Sequence, residues 1–211
     1  MESEDNTSMT REAKDVVAVG KLVLAFARVE RMTFHEDGVT PESDTDHTVM
    51  LSVCACALAK KWYPKLDVGL IAQLAIVHDL VEAYAGDTDS FAPSVSDREI
   101  KAEREAAALK RLEAEFGEGL SWIPATIKQF EVLDTPEARF VKTVDKVMPK
   151  ITHLLNEGST WKKRGYDRET MWKLYQEKTR PHEVAYASEF PEVVALIDEL
   201  IAEVRIKVYG S

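Results

Sequence analysis

The sequence predicts an all-α fold, an irregular helical bundle. Apolar residues recur every three or four positions through successive long segments separated by Pro- and Gly-containing breaks. Only 9 Gly and 8 Pro among 211 residues leave little material for a turn-rich β architecture. No segment shows the strict apolar/polar alternation of a half-buried strand, and no internal repeat is present.

Residues 1–9 are polar and are expected to fray. A first helix starts at Thr10 and runs through about Arg28, its apolar face built from Val16, Val19, Leu22, Val23, Leu24 and Phe26. Residues 32–46, with Gly38, Pro41 and five acidic side chains, read as a loop. A second helix spans about Asp46 to Trp62, with Val49, Met50, Val53, Cys54, Ala57 and Leu58 facing inward, and Pro64 ends it. The third, Asp67 to about Tyr84, is apolar on nearly all sides and belongs at the centre of the fold. Residues 85–97 form a loop. The next helix, Asp97–Phe116, carries Glu, Lys, Arg and Ala at i,i+4 spacing and suits an outer, solvated position. Short helices fill 117–134. Pro136 in a first turn opens another helix, carrying Phe140, Val141, Val144 and Val147 and bent near Pro149. A basic, Gly-containing loop at 156–168 precedes two last helices, about Glu169–Thr179 and Ser188–Val208.

The length suits one domain over residues 1–211 with a sizeable core. A net charge of −10 and a pI near 5.1 argue against a nucleic-acid partner, which needs a basic surface. The run Lys162-Lys163-Arg164 is too short and isolated to reverse that. No apolar stretch approaches the roughly 18–20 residues of a membrane span, and the acidic start Met1-Glu2-Ser3-Glu4-Asp5 lacks the basic region of a secretory signal. Cys54 and Cys56, the only cysteines, fall on different faces of one helix and read as small core residues. A reduced, cytoplasmic protein is expected.

His78-Asp79 carries the chemistry. The pair interrupts the apolar run Leu70–Val77, and burying an imidazole beside a carboxylate is costly without compensation, for which a divalent metal is the usual means. His47 and Asp145 are two further candidate ligands from other segments. Taken singly, each has an ordinary alternative: a satisfied core histidine, or Asp46-His47 as an N-cap and first-turn residue. Glu82 follows His78 by one helical turn and is a candidate catalytic carboxylate. Asp87, after the Gly86 turn, can reach the same pocket from its rim. Lys142 lies one turn before Asp145, where its charge can face an anion.

Three blocks, Pro41–His47, His78–Asp87 and Ala138–Lys146, resemble in order and separation the HD-domain metal-dependent phosphohydrolases, specifically the branch of bacterial 5′-deoxynucleotidases and their eukaryotic homologues. The similarity covers about residues 20–155, with the helices of 156–211 packing on that core. It implies an HD-type helical bundle and one divalent ion (Co, Mn, Zn, Fe, Ni or Mg) held by His47, His78, Asp79 and Asp145. It also implies Glu82 and Asp87 as catalytic groups, a small nucleotide as substrate, and a homodimer. In the family an Arg followed shortly by Trp lines the nucleotide pocket. Here Arg31-Met32-Thr33-Phe34 falls in that place, with Phe34 where the family carries Trp and Arg28 close by. The implied activity is hydrolysis of (deoxy)nucleoside 5′-monophosphates to nucleoside and phosphate. A second possibility is a nucleoside triphosphate or alarmone, which would need more Lys and Arg around the pocket than the sequence locates. Two-iron oxygenase chemistry would need extra histidines, and there is none between Asp79 and Asp145. A non-catalytic module with a structural metal would not require Glu82 and Asp87. His35, His153 and His182 match no motif, and His35 suits the surface.

Overall fold

The computed structural model describes residues 9–87 and 95–210. The expected frayed start lies, for residues 1–8, outside the described residues, as does the 88–94 part of the expected loop.

Helix α1 (Arg11–Phe26) is capped by Thr10, whose side chain accepts the Ala13 N–H. It buries Leu22 and Phe26 and leaves Val16, Val23 and Leu24 in solvent. Residues 30–43 are not the loop that the Gly, Pro and acidic residues suggested. β1 (Glu30–Phe34) and β2 (Pro41–Ser43) form an antiparallel hairpin, with Glu30 opposite Ser43 and Phe34 opposite Pro41. Strands this short carry no readable alternation, and the turn is built by Asp37, whose side chain accepts the N–H groups of Val39 and Thr40.

The hairpin feeds directly into α2 (Asp44–Trp62). Its cap is Ser43 rather than Asp46: Ser43 Oγ accepts the Asp46 N–H at 3.1 Å and Asp46 Oδ2 accepts the Ser43 N–H at 3.0 Å, a reciprocal capping box. The inward face also differs from expectation. Val49 and Val53 are 57% and 64% exposed, whereas Leu51, Ala55 and Ala59 are buried. The two small alanines let α3 (Val68–Val77) pack closely, with Ile71, Leu74 and Ala75 in the same core. Cys54 and Cys56 are free thiols packed against that core.

The third helix does not run on to Tyr84. It ends at Val77, and the chain proceeds through tighter i→i−3 turns (Leu80 to Val77, Glu82 to Asp79, Ala83 to Leu80) into the short α4 (Glu82–Ala85). The side chain of His78 provides a local cause, because its Nδ1 donates to the Ala75 carbonyl at 2.8 Å inside the last turn. By length and composition the 18 residues Val68–Ala85 do match a membrane span, contrary to the sequence-based expectation. Half of that stretch is buried inside the fold and it is broken at His78.

The outer helix α5 begins at Val95 and ends at Phe116, burying Ala108, Leu112 and Phe116. Then α6 (Trp122–Val132), α7 (Pro136–Asp145, capped by Thr135) and α8 (Met148–Leu155) follow, with Pro149 in the first turn of α8. Phe140, Val141 and Val144 of α7 complete the central core with Val193 and Ile197 of α12 (Pro191–Tyr209). The 156–168 segment is not all loop. It contains α9 (Ser159–Lys163), and its Trp161 packs with Met171 of α10 (Arg168–Leu174), with Tyr175 and with Val204 of α12. A π-helical turn, Tyr175–Thr179, and α11 (Arg180–Glu183) connect α10 towards α12.

Because the Ser43 box both closes the hairpin and starts α2, its loss is felt in stability. Ser43→Ala should cost about 1 kcal/mol, read as a lower urea midpoint at unchanged slope, and Ser43→Asp should restore most of it. An unchanged midpoint in Ser43→Ala would show that the box contributes nothing.

Candidate metal centre and its cavity

Three of the elements just described each end or begin at one point. His47 sits in the first turn of α2, His78 and Asp79 follow the last turn of α3, and Asp145 is the last residue of α7. Ligand-type atoms of His47, His78 and Asp145 all lie within 4.8 Å of one another. Asp79 joins them, its Oδ2 2.9 Å from His78 Nε2 and 3.9 Å from His47 Nε2, while His47 Nε2 is 3.0 Å from Asp145 Oδ1.

The surrounding groups orient these atoms. With Nδ1 of His78 donating to Ala75, Nε2 faces the cluster, 2.9 Å from Asp79 Oδ2 but without a well-formed hydrogen bond. Nδ1 of His47 faces Glu42 Oε1 at 3.8 Å, and Glu42 is itself held by the hydroxyl of Thr33. Lys146 Nζ donates to Asp145 Oδ2 at 2.6 Å. Arg31 Nη1 bridges Asp44 Oδ1 (3.0 Å) and Asp79 Oδ2 (3.4 Å). Two imidazole nitrogens and two carboxylates converging in this way fit a borderline divalent cation such as Zn, Mn, Co, Fe or Ni. An orphaned, oriented His nitrogen is what such an ion requires.

The electrostatics divide the carboxylates into two kinds. Burial opposes ionisation of Asp79, yet His78 and Arg31 hold it well below the ordinary range. Asp145 is likewise held down against burial, by Lys146 and His47. Glu82, at the start of α4, goes the other way. Burial and then the negative charge of Asp79 push it up to about 10, against the attraction of Lys101, whose Nζ is 3.3 Å from Oε1. Its Oε2 has no partner among the described residues. The chain thus sets two carboxylates kept ionised beside one that holds a proton. Asp87 comes to the cavity wall after Gly86, whose φ of 73° turns the chain there.

Beside the cluster opens a cavity of about 720 Å³, walled by Arg31, Asp87, Lys142 and Asp145 among others. Phe34 is not on that wall. Its ring lies under Lys163, with Nζ 3.5 Å from the centroid, and its carbonyl accepts from Asn156, so Met32 and Thr33 line the cavity instead. Arg28 is not on the wall either. His35 stays at the surface, 3.2 Å from Asp46. Lys101, Lys146, Lys150, Arg164 and Lys178, with His153 and His182, line the same wall, a set not expected from the sequence. Part of that set was legible: Lys142, Asp145, Lys146, Pro149, Lys150 and His153 recur at intervals of three and one, a single helical face. Lys101, Arg164 and Lys178 arrive from distant segments and carried no local signal.

A family model described as HD domain matches residues 26–185. The bovine protein named 5′-deoxynucleotidase HDDC2 is 26% identical over 208 residues, 97% of this chain and 93% of its own length. The Xenopus laevis protein of the same name is 30% identical over 142 residues, 66% of this chain and 68% of its own. A solved structure from Magnetospirillum magnetotacticum, described as a predicted metal-dependent phosphohydrolase, superposes with a TM-score of 0.65 at 26% identity, covering 90% of this chain and 97% of that one. A conserved hypothetical protein from Pyrococcus furiosus shares the fold with a TM-score of 0.58 at 22% identity. With a model that spans most of its length and relatives aligned nearly end to end, the chain belongs to the HD-domain family and is a hydrolase.

Proposed function

We propose that the protein is a phosphomonoesterase that hydrolyses nucleoside 5′-monophosphates, deoxynucleotides foremost, to nucleoside and inorganic phosphate. The observation that carries this reading is the convergence of His47, His78, Asp79 and Asp145 beside the buried Glu82, at the edge of a cavity walled by Arg31 and Lys142. The names of the vertebrate relatives support the choice of deoxynucleotides.

His47, His78, Asp79 and Asp145 would hold a divalent ion, which when bound would supply Lewis acidity and a water more acidic than bulk water. The protein's own groups do the rest. Arg31 and Lys142 offset the charge of the phosphate from the wall, and Arg31 also fixes Asp79. Glu82 exchanges its proton between the attacking water and the departing 5′-oxygen through Oε2, while Lys101 fixes Oε1. Asp87 serves from the rim. As the phosphorus–oxygen bond breaks, the water oxygen joins phosphorus and the leaving oxygen takes up a proton.

A larger nucleotide is the second reading, and the number of basic residues on the wall favours it, although Lys146 and Lys150 are paired with Asp145 and Glu183. A structural-metal module fits less well, since it gives no role to a buried Glu82 beside the proposed ligands. We place the protein in a reducing compartment such as the cytosol, in keeping with its two free thiols, and expect it to act on small molecules. We further propose a homodimer formed through α1 and α2, which pack on each other and leave Val16, Val23, Val49 and Val53 in solvent. Sedimentation should then give twice 23.7 kDa, and a monomer that stays monomeric at high concentration would remove this part of the proposal.

Protein stripped and reloaded with Co, Mn or Mg should release phosphate from deoxynucleoside monophosphates. Pyrophosphate or triphosphate release would favour the larger substrate, and silence with every metal and nucleotide would end both readings.

Two variants separate binding from chemistry. Asp79→Ala should lose metal and activity together, whereas Glu82→Gln should keep fold, metal and substrate affinity but lower turnover by about 10²–10⁴-fold. Metal loss in Glu82→Gln would make Glu82 a ligand, and near-normal turnover would move the proton work elsewhere.

A further inference from the structure

The proposed chemistry uses the ionic end of the cavity, around Arg31, Lys101 and Asp145. The wall also has an apolar sector, to which Leu133, Pro149, Ala185 and Tyr186 contribute. Leu133 and Tyr186 pack against the central core yet are only half-buried, so both keep accessible surface on the cavity wall.

Leu133 is one of two non-glycine residues with positive φ among the described residues. It ends α6 at φ 55° and ψ 28°, a left-handed conformation that glycine or asparagine adopts with less steric conflict than a branched apolar side chain. Ending the helix does not call for leucine. A strained backbone that carries an apolar side chain on a cavity wall points instead to a contact the side chain makes there.

Arg139 holds that conformation in place. Its Nη1 donates to the carbonyls of Leu133 (3.1 Å) and Asp134 (3.0 Å), while Nε and Nη2 donate to Glu189 Oε1 (2.9 Å) and Oε2 (2.8 Å). Glu189 in turn donates its N–H to the Tyr186 carbonyl at 3.0 Å. One guanidinium therefore ties the α6–α7 turn to the segment before α12, and with it Leu133 to Tyr186. Along α7 the step from Asp145 back to Arg139 is roughly 9 Å at 1.5 Å per residue, with Lys142 between them. A nucleoside is of that order of length.

An apolar sector beside an ionic centre suits a molecule that is charged at one end and flat and apolar at the other. The side chains of Leu133, Pro149 and Ala185 offer no hydrogen-bonding group, and the ring of Tyr186 offers a π-face, so the sector recognises a ring by its faces. We propose that Leu133 and Tyr186 hold the nucleobase of the substrate while its phosphate lies at the metal end. This assignment deepens the nucleotidase reading and rests on it.

The test reads base binding without phosphate, metal or turnover. The probe is 2-aminopurine 2′-deoxyriboside, a nucleoside whose fluorescence falls when its base stacks, and the protein should quench it saturably. Tyr186→Ala and Leu133→Gly should each raise its dissociation constant by about tenfold, in the range of a lost stacking partner, and Tyr186→Phe, which keeps the ring, should not. Glycine suits the φ of 55° at position 133, so Leu133→Gly removes the side chain without adding backbone strain. With a deoxynucleoside 5′-monophosphate and metal, Tyr186→Ala and Leu133→Gly should raise KM more than they lower kcat, as for a contact made equally with substrate and transition state. A probe that is not quenched, or that either variant binds as tightly as the natural protein does, overturns the proposal. So does a loss in Tyr186→Phe equal to that in Tyr186→Ala. Saturable quenching weakened by both variants, in a protein that releases no phosphate from any nucleotide, would keep the base site and remove the nucleotidase reading alone.

Discussion

Everything near the centre of this protein is arranged around one electrostatic problem, several carboxylates gathered in the interior of an acidic chain. Glu42, Asp44, Asp79, Glu82 and Asp145 lie around two buried imidazoles, in a molecule of net charge −10. Like charges in a low-dielectric interior are tolerated only when opposite charges or protons answer them. Arg31 answers Asp44 and Asp79, Lys146 answers Asp145, and Lys101 partly answers Glu82, which keeps a proton instead. The balance is local, which is why groups a few ångströms apart differ so much in acidity.

The backbone architecture serves that balance. The hairpin contributes Arg31 from one strand and Glu42 from the other, then caps α2 so that His47 falls in its first turn. The break after Val77 lets His78 and Asp79 turn toward the cluster while Leu80, Val81 and Ala85 still pack against α1, α5 and α6. Pro136 and Thr135 start α7 so that it ends at Asp145. Helix ends, not helix middles, hold the proposed ligands, because a terminus can present a polar group without burying it along an apolar stripe.

The extent to which this was legible in the sequence follows from the range of the forces involved. Helix periodicity is local, and it revealed most of the helices; the polar break in an apolar run marked His78-Asp79, and the resemblance to the HD family joined His47 and Asp145 to them, residues that the structure brings together. The hairpin escaped notice because strands of five and three residues with polar side chains show no period. The face of α2 was misjudged because Val49 and Val53 are more apolar than Ala55 and Ala59, whereas packing against α3 selects for small residues rather than greasy ones. Phe34 was placed by analogy, and only the fold shows Lys163 lying over its ring. The cationic wall was the largest omission. Its members 142–153 share a helical face that looks solvated when the rest of the cavity is unseen, and its remaining cations converge only in three dimensions.

The counter-charges carried by Lys146 and Arg31 have a consequence for assembly. In small metal-dependent domains the ion is part of the folding reaction, since without it the ligands repel and the core is insufficient. Here the proposed ligands are already neutralised by the protein's own cations and anchored on helices with a separate apolar core. The apolar core stands apart from the proposed ligands, so the ammonium of Lys146 and the guanidinium of Arg31 are the groups that an incoming ion would have to displace from Asp145 and Asp79.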